Sequence, residues 1–193
     1  MQEIEIKFKI DNREQLLSKL ESLHSHFSEP VKQKDIIFAP DLNDTENGEG
    51  KIFIPLRRQN EKKIITLKKQ SKVIMQNKEI GFGISDIDKA YDFLETIGFK
   101  EWVTVEKTRI ETTYQEFNLC IDQVKRLGDF VEIEILSEEE NQTEFYEKKI
   151  LEIAKELGIP IKNRVDNYYD SMIAELNEKE NLKVSIPLTK GTD

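Results

Sequence analysis

The residues best equipped for chemistry are charged and sit at alternate positions. In EIEIKFKI, residues 3–10, Glu3, Glu5, Lys7 and Lys9 take one side of an extended chain, while Ile4, Ile6, Phe8 and Ile10 take the other, because side chains two apart share a strand face. FVEIEI, residues 130–135, repeats the pattern with Glu132 and Glu134 opposite Val131, Ile133 and Ile135. The cations obey the same rule. Arg57 shares a face with Lys51 in KIFIPLRR, Thr66 and Lys68 oppose Ile65 and Leu67 in IITLKK, and Lys107, Arg109 and Glu111 share a face in VEKTRIE. Carboxylates offer oxygen ligands to a hard divalent cation, and Lys and Arg offer charged hydrogen bonds to phosphate oxygens. A metal and a polyanion together would neutralise both sets. Strand by strand, however, a charged face is equally at home in water.

The elements that must carry these residues follow from periodicity and caps. A helix is expected over DNREQLLSKLESL, capped by Asp11 or Asn12, with Leu16, Leu20 and Leu23 at helical spacing. VKQKDIIFAP turns extended, and PDLNDTENGEG, rich in turn formers, reads as an exposed hairpin connection or mobile loop. KIFIPLRR and KKIITLKK are strands joined by Gln59, Asn60 and Glu61, and residues 72–84 are extended despite Gly81 and Gly83. A second helix starts at Ser85 or Asp86, carries Ile87, Ala90, Tyr91, Leu94 and Ile97, and stops at Gly98. WVTVEKTRIETTY, FNLCIDQV and DFVEIEIL form three more strands. A third helix with Tyr146, Ile150, Ile153, Ala154 and Leu157 ends at Gly158, and a fourth holds Tyr169, Met172, Ile173 and Leu176. Consecutive strands with short turns favour an antiparallel sheet with a covering helix layer. Alternation leaves two architectures open: an open amphipathic sheet, or a closed tunnel with the charges inside.

Composition narrows the partners. The chain has 193 residues, 37% hydrophobic and 35% charged, which suits one domain with a very polar surface. A net charge of -9 argues against nucleic-acid or anionic-membrane partners. One cysteine permits no internal disulfide, and no stretch approaches a spanning helix, so a cytoplasmic setting is expected. Cys120 reads as a small core residue, His24 and His26 as exposed or capping residues, and Arg58, by alternation, as a surface or interface charge.

Glu3-Ile4-Glu5-Ile6-Lys7 resembles the N-terminal ExExK signature of the CYTH superfamily, the triphosphate tunnel metalloenzymes. It is joined in order by QKDIIF at 33–38, PLRR at 55–58, TLK at 66–68, EKTR at 106–109 and CIDQVKRLGDFVEIEI at 120–135. The last is the most specific, and NYYDSMI resembles the family's terminal helix. The pattern is most similar to the class IV adenylate cyclase branch. The resemblance implies an α+β fold, a closed eight-stranded antiparallel β-barrel flanked by helices, in a single domain over 1–178 with a polar tail at 179–193. It also implies Mg2+ or Mn2+, a triphosphate substrate (ATP, or an inorganic or organic triphosphate) and a homodimer. Glu3, Glu5, Glu132 and Glu134 would hold the metal, with Asp122 supporting metal or substrate. Lys7, Arg57, Lys68, Lys107 and Arg109 would bind the triphosphate, with Glu79 in the acidic set, and Glu3, Glu5, Lys7 and Arg109 would form the catalytic group. The implied reaction is ATP to cyclic AMP and pyrophosphate; inorganic, thiamine or nucleoside triphosphate hydrolysis and noncatalytic triphosphate or polyphosphate binding are the alternatives. The chain departs from the pattern at Pro55 and Asn77, where basic residues are usual, and at Gly81 and Gly83, where charged ones are common.

Overall fold

The computed structural model describes residues 2–40, 49–70, 77–137 and 142–185, the side chains of 2, 3, 77 and 181–185 excepted. In chain order the elements are β1 (Gln2–Ile10), α1 (Arg13–Ser22), β2 (Val31–Ala39), β3 (Ile52–Gln59), β4 (Lys62–Gln70), β5 (Asn77–Gly83), α2 (Ile87–Thr96), β6 (Lys100–Tyr114), β7 (Phe117–Val124), β8 (Gly128–Ser137), α3 (Thr143–Glu156), β9 (Arg164–Val165) and α4 (Tyr169–Ser185). The expected caps form: Asn12 Oδ1 accepts from the Gln15 amide at 3.0 Å, and Asp86 Oδ1 from the Asp88 and Lys89 amides at 3.1 Å. Gly98 and Gly158 follow α2 and α3 with φ of 97° and 78°, a backbone that only glycine adopts at little cost. The polar connection falls between β2 and β3, antiparallel neighbours; its residues 41–48, and residues 72–76 of the expected extended run, lie outside the described residues. α4 continues to Ser185, past the expected start of the tail.

The strands form one antiparallel sheet in the order β5-β4-β3-β2-β6-β7-β8-β1-β9. Its apolar face is covered from outside. α1 and α3 close Ile4, Ile6, Phe8, Leu119, Ile121, Val131 and Ile133 into one buried cluster, and α2 buries Phe38, Ile54 and Leu56 against Ile87 and Leu94. Burying each such side chain contributes about 1.5–3 kcal/mol. This is the driving force that fixes which face of each strand looks outward.

The expected closed eight-stranded barrel is corrected here to an open, nine-stranded sheet. Closure would need the free edges of β1 and β5 to pair. β1 instead gives its edge at Lys7 and Phe8 to the two-residue β9, and β5, carrying Gly81 and Gly83, stays a terminal strand. The sheet nevertheless curls, because residues of β1 to β6 and β8 line a single cavity, and Tyr168, Tyr169 and Asp170 at the start of α4 complete its lining.

Candidate active site

The cavity, about 260 Å3, gathers the charged rows read from the sequence. Register explains the gathering. Glu5 lies opposite Glu134 and Lys7 opposite Glu132 across β1 and β8; Arg109 lies opposite Asp122, Asp35 opposite Arg57, and Lys68 opposite Glu79. Alternation puts one member of each pair on the inner face, and antiparallel pairing then puts the other beside it.

Each cation is held by a carboxylate. Arg57 donates from Nε and Nη2 to the two oxygens of Asp35, both at 2.7 Å. Lys68 Nζ is 2.8 Å from Glu79 Oε1, and Lys7 Nζ is 3.3 Å from Glu132 Oε1. Arg109 donates to Asp122 at 2.7 and 2.6 Å and to Glu132 at 2.5 Å, while Lys107 Nζ donates to Asp122 at 2.8 Å. Asp122, wholly buried, therefore stands behind Lys107 and Arg109 and fixes their heads rather than lining the cavity. Glu79 is at the rim, 41% exposed. Glu3 pairs in register with Leu136, two positions before Glu5 on the same face; its side chain, like that of Asn77, lies outside the described residues. Arg58 is exposed, as are His24 and His26. Pro55 lines the cavity, so the position that departs from the family pattern is an uncharged part of its wall.

Burial alone would raise the Glu132 carboxyl, but Lys107, Lys7 and Arg109 together hold it well below the usual carboxylate range. For Lys107, burial lowers the ammonium pKa, reinforced by Arg109 and only partly offset by Asp122 and Glu132. Burial raises the Asp170 carboxyl, against the Ser171 amide and Lys68. These are the displacements expected where ionised groups of both signs share a poorly hydrated space.

Four polar lining residues have no site role in the sequence reading: Asp35, Tyr168, Tyr169 and Asp170. Asp35 sits within QKDIIF, on the face of Gln33, and register with Arg57 makes it the partner of that cation. Tyr169 carries Lys7 Nζ 4.2 Å and Lys107 Nζ 5.0 Å from its ring centroid, a favourable cation–π distance. A signal for it was present: along β2, β3 and β6 the inner-face residues change from charged to apolar, with Ile37, Phe53, Val103 and Val105 continuing the rows of Asp35, Arg57 and Lys107. α4 packs Tyr169 and Ile173 against that apolar end from inside. Cys120 differs in the opposite sense. It is buried, but on the inner face, with Sγ 3.7 Å from Glu134 Oε1.

Glu5 and Glu134 face each other across β1 and β8 and both line the cavity. Such oxygen donors fit Mg2+ or Mn2+, which commonly use one or two carboxylates and complete their shell with water and phosphate oxygens. Among the described residues, no three His, Cys, Asp or Glu side chains gather into an all-protein metal site.

The CYTH domain matches residues 1–169. A Methanocaldococcus jannaschii protein provisionally named an adenylate cyclase is 29% identical over 172 residues, 88% of this chain and 97% of that protein. The Aeromonas hydrophila adenylate cyclase CyaB is 29% identical over 76 residues, 39% of this chain and 40% of that enzyme. A Pyrococcus furiosus protein of unassigned function superposes with a TM-score of 0.75 at 28% identity, covering 88% of this chain and 98% of its own. Among the described residues no helix is long and apolar enough to cross a membrane.

Proposed function

The chain belongs to the CYTH domain family, and from that membership we propose that it is a divalent-metal-dependent enzyme that binds the triphosphate of ATP in the charged chamber and forms cyclic AMP and pyrophosphate. The observation that carries the reading is the convergence of Lys7, Arg57, Lys68, Lys107 and Arg109, drawn from β1, β3, β4 and β6, on one cavity sized for a triphosphate. Ion pairs that merely stabilise a sheet do not need a shared cavity.

Binding follows from exchange. Phosphate oxygens replace carboxylates as acceptors for Lys7, Arg57 and Lys68, while Asp122 keeps Lys107 and Arg109 aimed inward. Glu5, Glu134 and, by its position on β1, Glu3 would hold Mg2+ or Mn2+, which supplies charge neutralisation and polarises a phosphoryl oxygen when bound. The ribose 3′-hydroxyl then adds to the α-phosphorus, giving up its proton to solvent, as the bond to the pyrophosphate oxygen breaks. Arg109, rigidly forked on Asp122 and Glu132, stabilises the charge that develops on the leaving oxygens.

A second reading, hydrolysis with water attacking the γ-phosphorus, draws on the same cations. Incubation with ATP and Mg2+ or Mn2+, followed by chromatographic separation of products, decides between them. Cyclic AMP with pyrophosphate is expected; orthophosphate without a cyclic product moves the chain to the triphosphatases, and binding without turnover of either ATP or inorganic triphosphate leaves a noncatalytic binder.

A further inference from the structure

Helices cover the outer face of the sheet in two groups: α1 and α3 over β1, β7 and β8, and α2 over β2, β3 and β4. Between them, a strip of β3, β2, β6 and β7 carries a groove of about 860 Å3 lined by Lys32, Lys34, Arg58 and Lys125. Lys34 and Arg58 also line a smaller recess, of about 230 Å3, walled by Ile36, Leu56, Ile87 and Tyr91. The two spaces therefore adjoin at these two cations. We propose that the junction is a second binding site, separate from the chamber, for a free anionic amphiphile: its phosphate or carboxylate head on Lys34 and Arg58, its apolar body in the recess.

Register places the charge. Lys34 lies opposite Arg58 across β2 and β3, and Arg58 opposite Lys63 across β3 and β4. Like charges directly opposite one another destabilise a sheet, so the row does not serve the fold. Lys63 is occupied, donating to the Ser85 carbonyl at 3.0 Å, and Lys125 pairs with Glu106 at 3.0 Å. Among the described residues, Lys32, Lys34 and Arg58 have no ion-pair partner, although the chain as a whole carries a net charge of -9. A guanidinium beside an ammonium suits the oxygens of a phosphate or carboxylate.

The recess selects the rest of the ligand. Leu56 is wholly buried, and the Tyr91 ring is held edge-on to Phe38, with centroids 4.9 Å apart, while its hydroxyl donates to Glu101 Oε2 at 2.9 Å. An inorganic anion would leave this apolar wall unused. At 230 Å3 the recess is smaller than pockets that enclose a whole organic ligand, about 300–1,000 Å3, so it takes the apolar body alone and the head stays in the groove. Asp88 also lines the recess and repels a second anionic group there. A bilayer fits less well, since the recess is concave and the chain's overall charge opposes an anionic surface.

The test is calorimetric titration of octyl phosphate, below its micellar concentration, into the full chain, alongside inorganic phosphate and the uncharged octyl glucoside. Octyl phosphate should bind about tenfold or more tightly than inorganic phosphate, the gain from burying about two methylene groups, and more tightly than octyl glucoside. Lys34→Gln/Arg58→Gln should weaken octyl phosphate about tenfold without lowering the melting transition, because the change relieves the opposed charges. Neither residue lines the chamber, so any phosphate bound there persists in this variant and is subtracted. Ile36→Thr should weaken octyl phosphate and leave inorganic phosphate unchanged. Equal affinity for octyl and inorganic phosphate, or for octyl phosphate and octyl glucoside, overturns the site, as does octyl phosphate binding that survives either variant. Sedimentation of the chain with phosphatidylserine vesicles, without binding of octyl phosphate, overturns the free ligand and assigns the groove to a membrane surface.

Discussion

Glu132 is the carboxylate on which the chamber's cations converge. It is 7% exposed, lies 3.3 Å from Lys7 and accepts from Arg109. Replacing it by Gln leaves buried positive charge without its counter-charge, which should cost about 3 kcal/mol in urea denaturation. The same substitution should flatten the acid limb of stability. Because Glu132's folded pKa is depressed, its contribution is present above its ordinary value near 4.5 and is lost as pH falls below that; Asp170, raised above 3.8, acts in the opposite sense. Urea midpoints between pH 3 and 6 should therefore fall more steeply in the unmodified chain than in Glu132→Gln, and parallel profiles would refute this assignment. Arg57→Lys keeps the charge but loses the two-pronged bond to Asp35, so triphosphate affinity should drop about tenfold in calorimetric titration.

At the scale of elements, α4 has the least expected position. Its apolar stripe, Tyr169, Met172, Ile173 and Leu176, is plain in the sequence, but a stripe does not say which face of a sheet it covers. Helices α1, α2 and α3 take the outer apolar face; α4 seals one end of the charged inner face, where Val103 and Val105 replace the cations further along β6. Tyr169 packs edge-on to Phe130, with centroids 5.2 Å apart, and underlies two lysines. Tyr169→Ala should cost about 3 kcal/mol by thermal or urea unfolding, as for other large buried rings. A loss below about 1 kcal/mol would mean that α4 is not a seal. The individual strands, helix caps and charged faces were legible because each depends on local spacing. Openness was not, since the same alternation suits a closed or an open sheet, and only the long-range pairing of β9 with β1 distinguishes them. Cys120 is buried, as its type suggests, but its parity with Asp122 puts it on the inner face.

For the molecule as a whole, electrostatic balance governs function. The chain carries a net charge of -9, and the chamber follows suit: among the described residues, five cations meet six lining carboxylates, with Asp122 as a seventh behind them. On the proposed function, a triphosphate gains the cations only by displacing or neutralising carboxylates, and its binding is expected to be coupled to a divalent cation. The most direct measurement is therefore calorimetric titration of ATP into the full chain with Mg2+ and with EDTA, alongside Glu5→Gln/Glu134→Gln. Binding should require the metal and weaken about 100-fold in the double variant. Equal ATP affinity in Mg2+ and EDTA, unchanged by the double substitution, would contradict a metal-coupled triphosphate site.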